Sequence, residues 1–208
     1  MINTRLDTGK MVRMAVLVAI IAIMSFTPIG FVPIGPVTVT LVIIPVAVAA
    51  VVVGPVGGAI AGGVWGFCAF LRILFGLSTP LFVYFLSNYP ILTLILMLIP
   101  RILAGWIAGL ASHAVLKLGN KTFAAMAGSL TVPVCNTIFF VGTWILLFGR
   151  TDAFVDVFGA TVWGAIVAII SVNALIEAVF GLLTGTAVSR AMVYFIPDKS
   201  DETRSTAI

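Results

Sequence analysis

The apolar residues of this chain run in blocks of roughly the length that crosses a membrane, about 20 residues in helix for a hydrocarbon core about 30 Å thick. Almost no charge interrupts those blocks. Of 208 residues, 9% are charged and 62% hydrophobic, against about 25% charged in a soluble domain. The chain therefore reads as an all-α membrane protein with room for six transmembrane helices. Nothing is left over for a soluble catalytic or ATP-binding domain.

Gly/Pro and charge punctuation places the helices at about 11–27, 38–53, 56–75, 97–117, 122–148 and 160–193, with Pro45 interrupting the second. The outer connections are then 28–37, 76–96 and 149–159. The inner ones are short, "GPV" near 54–56 and "LGNK" near 118–121. With N- and C-termini cytoplasmic, Arg5, Lys10, Arg13, Lys117, Lys121, Arg190, Lys199 and Arg204 all lie inside. That is eight of the eleven basic residues, the asymmetry that sets membrane orientation. Residues 1–10 and 196–208 form cytoplasmic tails around a bundle spanning 11–195. The basic residues form no stripe for nucleic acid. The segment Met14–Phe26 runs into "TPIGFVPIGP" instead of a small-residue cleavage site, which makes it a retained first helix. In that decapeptide Pro28, Pro33 and Pro36 each remove a donor and restrict the preceding residue, so it is not regular helix. Irregular backbone at a membrane face lines a wet cavity or packs on protein, which makes the loop either a lid or a stiff connector.

Small residues recur at intervals of four: Ala15 and Ala19; Gly58, Gly62 and Gly66; Gly105 and Gly109; Gly181 and Gly185. Lipid supplies no hydrophobic drive between helices, so such faces permit close backbone approach and van der Waals contact. Stepping back by four from Gly105 reaches Arg101, a permanent charge on the packed face. The same spacing puts Asn173 and Glu177 in line with Gly181 and Gly185, and Asn136 and Thr137 follow Pro133 in mid-span. A few polar groups from three helices, walled by Trp65, Trp144 or Trp163, have the make-up of a small-molecule site. Interhelical hydrogen bonding by the asparagines and a structural Arg101–Glu177 pair are the alternatives. No GxSxG, HExxH or Walker motif is present, His113 stands alone, and Cys68 and Cys135 have no metal-ligand spacing. No catalytic residue, metal or cofactor is expected.

Taken in order, "MAVLVA", "TPIGFVPIGP", "GPVGGAIAGGVWG", "IPRILAGWIAGL", the Asn136-Thr137 step and "NALIEAVFGLLTG" resemble the substrate-binding S components of energy-coupling factor (ECF) vitamin transporters, from about Lys10 to Arg190. The resemblance implies a multi-pass protein of the bacterial cytoplasmic membrane that binds a vitamin near its outer face. It also implies docking on a transmembrane T subunit and two ATPases, with Ala15 and Ala19 meeting the T subunit. The pocket would draw on the first outer loop, which carries Phe31, and on the outer halves of helices 4 to 6. An arginine without a nearby carboxylate favours an anionic ligand, and the pattern looks most like the pantothenate type. Hydroxymethylpyrimidine, pyridoxine, folate and riboflavin are the alternatives within the family. A lipid-modifying membrane enzyme or a stand-alone channel are the alternatives outside it.

Overall fold

The computed structural model describes residues 8–34, 37–158 and 173–195. Proline opens three of the helices, where its missing N–H costs nothing and its φ is already helical. These are α3 (Pro55–Leu74), α4 (Pro80–Asn88) and α5 (Pro90–Leu116). α6 (Lys121–Phe148) is opened by Asn120, whose side chain accepts from the N–H groups of Thr122 and Phe123 at 3.0 and 3.1 Å. The remaining helices are α1 (Thr8–Phe26), α2 (Ile43–Val52), α7 (Asp152–Phe158) and α8 (Asn173–Phe195). Among the described residues the fold is helical except for one hairpin. After a 3-10 turn at Pro28–Gly30, β1 (Phe31–Ile34) pairs antiparallel with β2 (Val37–Thr40), so that Phe31 faces Thr40 at its base.

Among the described residues, α1, α3, α5 and α6 are long and apolar enough to cross a membrane. α2 is apolar on every side and buried from Pro45 to Ala50, as expected of a helix enclosed by others. It touches α3, α5, α6 and α8. The expected second helix at 38–53 is therefore shorter, because Thr38–Thr40 belong to the hairpin. The expected outer connection 76–96 is mostly helical. Pro90 starts α5 seven residues before position 97, and α4 precedes it. A short helix also occupies most of 149–159.

α5 is the spine, packed along α3 on one side and α6 on the other. Glycine makes the first contact close. A Cβ on Gly58 would fall on the Gly105 carbonyl, one on Gly62 on the Arg101 carbonyl, and one on Gly66 within 2.5 Å of the Met97 carbonyl oxygen. Gly63, one residue off the seam, would meet only the Ile102 side chain at 3.5 Å. Gly62→Ala is accordingly expected to cost about 1–3 kcal/mol through overpacking. In a thermal melt in detergent that is a fall of about 2–4 °C per kcal/mol for a chain of this size. Gly63→Ala should leave the midpoint unchanged, and equal midpoints for the two variants would contradict the seam.

Two apolar clusters result among the described residues. One gathers Leu17 and Ile21 of α1, most of α2, and Ala61 and Trp65 of α3. The other joins Ala69 and Ile73 of α3 to Phe85, Leu96, Met97, Trp144, Phe148 and Phe154. Arg101 lies between them, the twelfth of 27 residues in α5.

Candidate ligand-binding site

The α3–α5 seam fixes the backbone of Arg101, since its carbonyl is what Gly62 rests against. Its side chain turns back along the helix, and Nη1 donates to the Met97 carbonyl at 2.8 Å and lies 3.6 Å from Met97 Sδ. The guanidinium carbon stands 4.7 Å from the centre of the Trp65 ring and 5.2 Å from that of Phe140. Aromatic faces attract a cation through their quadrupole and so help hold one away from water. They do not supply hydrogen-bond acceptors. Arg101 Nε is buried with no hydrogen-bond partner, and among the described residues the side chain makes no hydrogen bond to a carboxylate, although Glu177 is near enough to interact with it electrostatically.

Asn136 lies one turn past Pro133 on α6 and is buried, with Oδ1 lacking a hydrogen-bond partner. Glu177 on α8 is 7% exposed, and its Oε1 accepts the Thr40 N–H at 3.0 Å. The carboxylate thus ties the base of the hairpin to α8. Gly181 and Gly185, further along the same face, pack against Pro133 and Ser129 of α6, which holds Glu177 toward the interior.

These groups converge. Arg101, Asn136, Thr137, Glu177 and Thr40 line a cavity of about 270 Å³ whose apolar walls include Trp65, Phe82, Phe140 and Trp144. Phe82 stacks on Trp144 with ring centres 5.1 Å apart, which brings α4 into the wall. The volume lies just under the roughly 300–1,000 Å³ typical of drug-sized ligands, so the space suits a small solute. A second chamber of about 120 Å³ adjoins it, lined by Phe31, Arg72, Ser78 and Met97. Arg101, Phe82 and Phe140 line both chambers and stand at the neck where the two adjoin.

Arg72, in the last turn of α3, donates through Nη1 to the Ser25 carbonyl and through Nη2 to the Leu77 carbonyl at 3.1 Å. Its guanidinium carbon lies 4.1 Å from the centre of the Phe31 ring. It therefore joins the end of α1, the start of the hairpin and the α3–α4 turn.

A larger groove, about 450 Å³, runs beside the α5–α6 turn between Val115, Phe123 and Leu182. Its lining is apolar apart from Asn120 and offers nothing that would select a charged solute.

Of the residues singled out in the sequence, Arg101, Asn136, Glu177, Trp65 and Trp144 share the larger chamber, and Phe31 lines the smaller one. Asn173 opens α8, but its side chain falls outside the described residues, as does Trp163. Ala15 and Ala19 lie on the exposed side of α1, opposite the face of Leu17, Ile21 and Ser25 that packs inward. Thr40, Phe82 and Arg72 were not anticipated at the site. The places of Thr40 and Phe82 depend on the hairpin and on α4, and only the alternation of "VTVT" in β2 hinted at either.

The model of one protein family, described as the ECF transporter substrate-specific component, matches residues 9–185. No curated protein matches the chain.

Proposed function

We propose that this chain, which belongs to the family of substrate-specific components of ECF transporters, captures an anionic water-soluble vitamin, pantothenate first, in the cavity around Arg101. Members of this family bind a small substrate and work with T and ATPase subunits, as transporter subunits rather than enzymes. The chain is a multi-pass membrane protein.

The observation that carries the ligand reading is the state of Arg101: a guanidinium between two rings, with a buried Nε that has no hydrogen-bond partner and no direct hydrogen bond to Glu177, the carboxylate that shares its cavity. Burying a permanent charge costs heavily unless it is paired, and a carboxylate meets a guanidinium through two parallel hydrogen bonds. Asn136 and Glu177 add acceptors for the hydroxyl or amide hydrogens of the ligand. Pantothenate carries a carboxylate at one end and both of those donor types.

In this reading the chain makes six spans in a bacterial cytoplasmic membrane with both termini inside. The hairpin at residues 31–40 is the lid, and the Ala15/Ala19 face of α1 meets the T subunit, while two ATPases drive release. The test is mass spectrometry of small molecules freed from the detergent-purified protein, followed by calorimetry with the compound found. Pantothenate or another carboxylate vitamin is the expected result. Recovery of a neutral or cationic vitamin that binds stoichiometrically would refute the ligand class.

A further inference from the structure

We infer that the outer chamber between Arg72 and Arg101 is the seat of the ligand's anionic group, and that Arg72 couples closure of the hairpin to that charge. The inference rests on the reading of the cavity as a vitamin site.

Two guanidinium groups line one chamber of about 120 Å³, and no acidic residue is among its lining. Arg101 Nε has no hydrogen-bond partner, and an anion between the two guanidinium groups would supply an acceptor for charge-assisted hydrogen bonds. Ser78 adds a hydroxyl donor to the same wall. The space is too small for a whole vitamin and suits a carboxylate with a short carbon stem. The inner chamber has the opposite character, since Glu177, Asn136, Thr137 and the Thr40 segment make it rich in acceptors. The ligand is therefore oriented with its carboxylate outward, beneath Phe31, and its hydroxyl or amide donors inward. The neck of Phe82, Phe140 and Arg101 surrounds the part in between.

The base of the hairpin feels both ends. Phe31 lies on the Arg72 guanidinium, and its cross-strand partner Thr40 donates to Glu177. The donors of Arg72 that have partners are bonded to main-chain carbonyls of α1 and of the α3–α4 turn. Its position thus sets where β1 begins. An anion in the outer chamber draws Arg72 and Arg101 toward one point, and Phe31 moves with the first of them. Closure of the lid then depends on ligand charge as well as ligand shape.

The experiment uses the full chain in detergent with two probes. Propionate matches the outer chamber alone, and pantothenate with its neutral alcohol analogue pantothenol matches both chambers. In the wild type, millimolar propionate should slow hydrogen–deuterium exchange of the amides of residues 31–41 saturably, and propanol should not. Arg72→Gln should abolish that protection. It should also weaken pantothenate binding about tenfold, the loss of one charge-assisted contact, while pantothenol changes by less than about twofold. Arg72→Lys keeps the charge without the planar fork, and it carries the test if the glutamine variant does not fold: part of the loss for the acid, none for the alcohol. Equal losses for acid and alcohol would make Arg72 a structural tie and overturn the inference, as would unprotected amides under saturating propionate. If propionate protects through Arg72 but pantothenate does not bind, the vitamin assignment falls and the anion seat stands.

Discussion

Arg101→Ala is expected to weaken pantothenate binding by roughly 10- to 150-fold and to weaken pantothenol binding much less. A hydrogen bond to a charged group contributes about 1.5–3 kcal/mol, and each 1.4 kcal/mol is a factor of ten. The alcohol comparison is needed because Arg101 has structural contacts as well. It bonds the Met97 carbonyl and fills the space between Trp65 and Phe140, so its truncation opens a gap that any ligand would feel. Acid and alcohol share that loss, and only the acid loses the charge pair. Arg101→Lys should recover part of the difference, since an ammonium keeps the charge without the planar fork. Calorimetry across the two protein forms and two ligands isolates the pairwise contribution. If both ligands lose equal affinity, Arg101 is structural and the case for an anionic vitamin goes with it.

Ala15→Trp combined with Ala19→Trp is expected to abolish uptake in cells while the purified variant binds vitamin with wild-type affinity. Both alanines are exposed, and the face of α1 that packs inward belongs to Leu17, Ile21 and Ser25. The glycine stripes of α3, α5 and α8 meet partners within the chain, whereas both alanines of the pair are exposed. A small-xxx-small face permits close helix approach, and two indoles would hold any partner helix several ångströms away. Binding in detergent and uptake in cells therefore separate the two roles. A double variant that co-purifies with the T and ATPase subunits at normal yield would show that this face is not the docking surface.

Helical periodicity carried the reading of the site a long way. Arg101 follows from its register with Gly105 and Gly109, and Glu177 from its register with Gly181 and Gly185. Both stripes pack as that spacing requires. The helix ends were legible where a proline or asparagine marks them, as at Pro55 and Asn120. Pro90 opens α5 in the same way, but the helix was expected only from about 97, seven residues later. The hairpin was legible only in part. Three prolines ruled out helix across residues 28–36, yet "VTVT" is too short to tell a strand from the start of an apolar helix. Arg72 could not have been placed from sequence, because its partners are two main-chain carbonyls and one ring. Any residue can offer such a carbonyl, so the contact leaves no trace in residue type.

The depth of Arg101 has an electrical consequence. It lies eleven positions after Pro90, a rise of about 17 Å at 1.5 Å per residue, which is near half of a hydrocarbon core about 30 Å thick. In the proposed orientation, a carboxylate travelling from outside to that level crosses a substantial part of the transmembrane voltage. A full crossing is worth about 2.3 kcal/mol per charge at 100 mV, so half of it is about 1 kcal/mol. With the cell interior negative, that work opposes entry of an anion. A two-chambered site that stops the carboxylate at the outer chamber, above the neck, makes the opposing work smaller. The resting voltage would then favour a shallow seat for the charged end, and loading of the protein in polarised vesicles would weaken as the inside is made more negative.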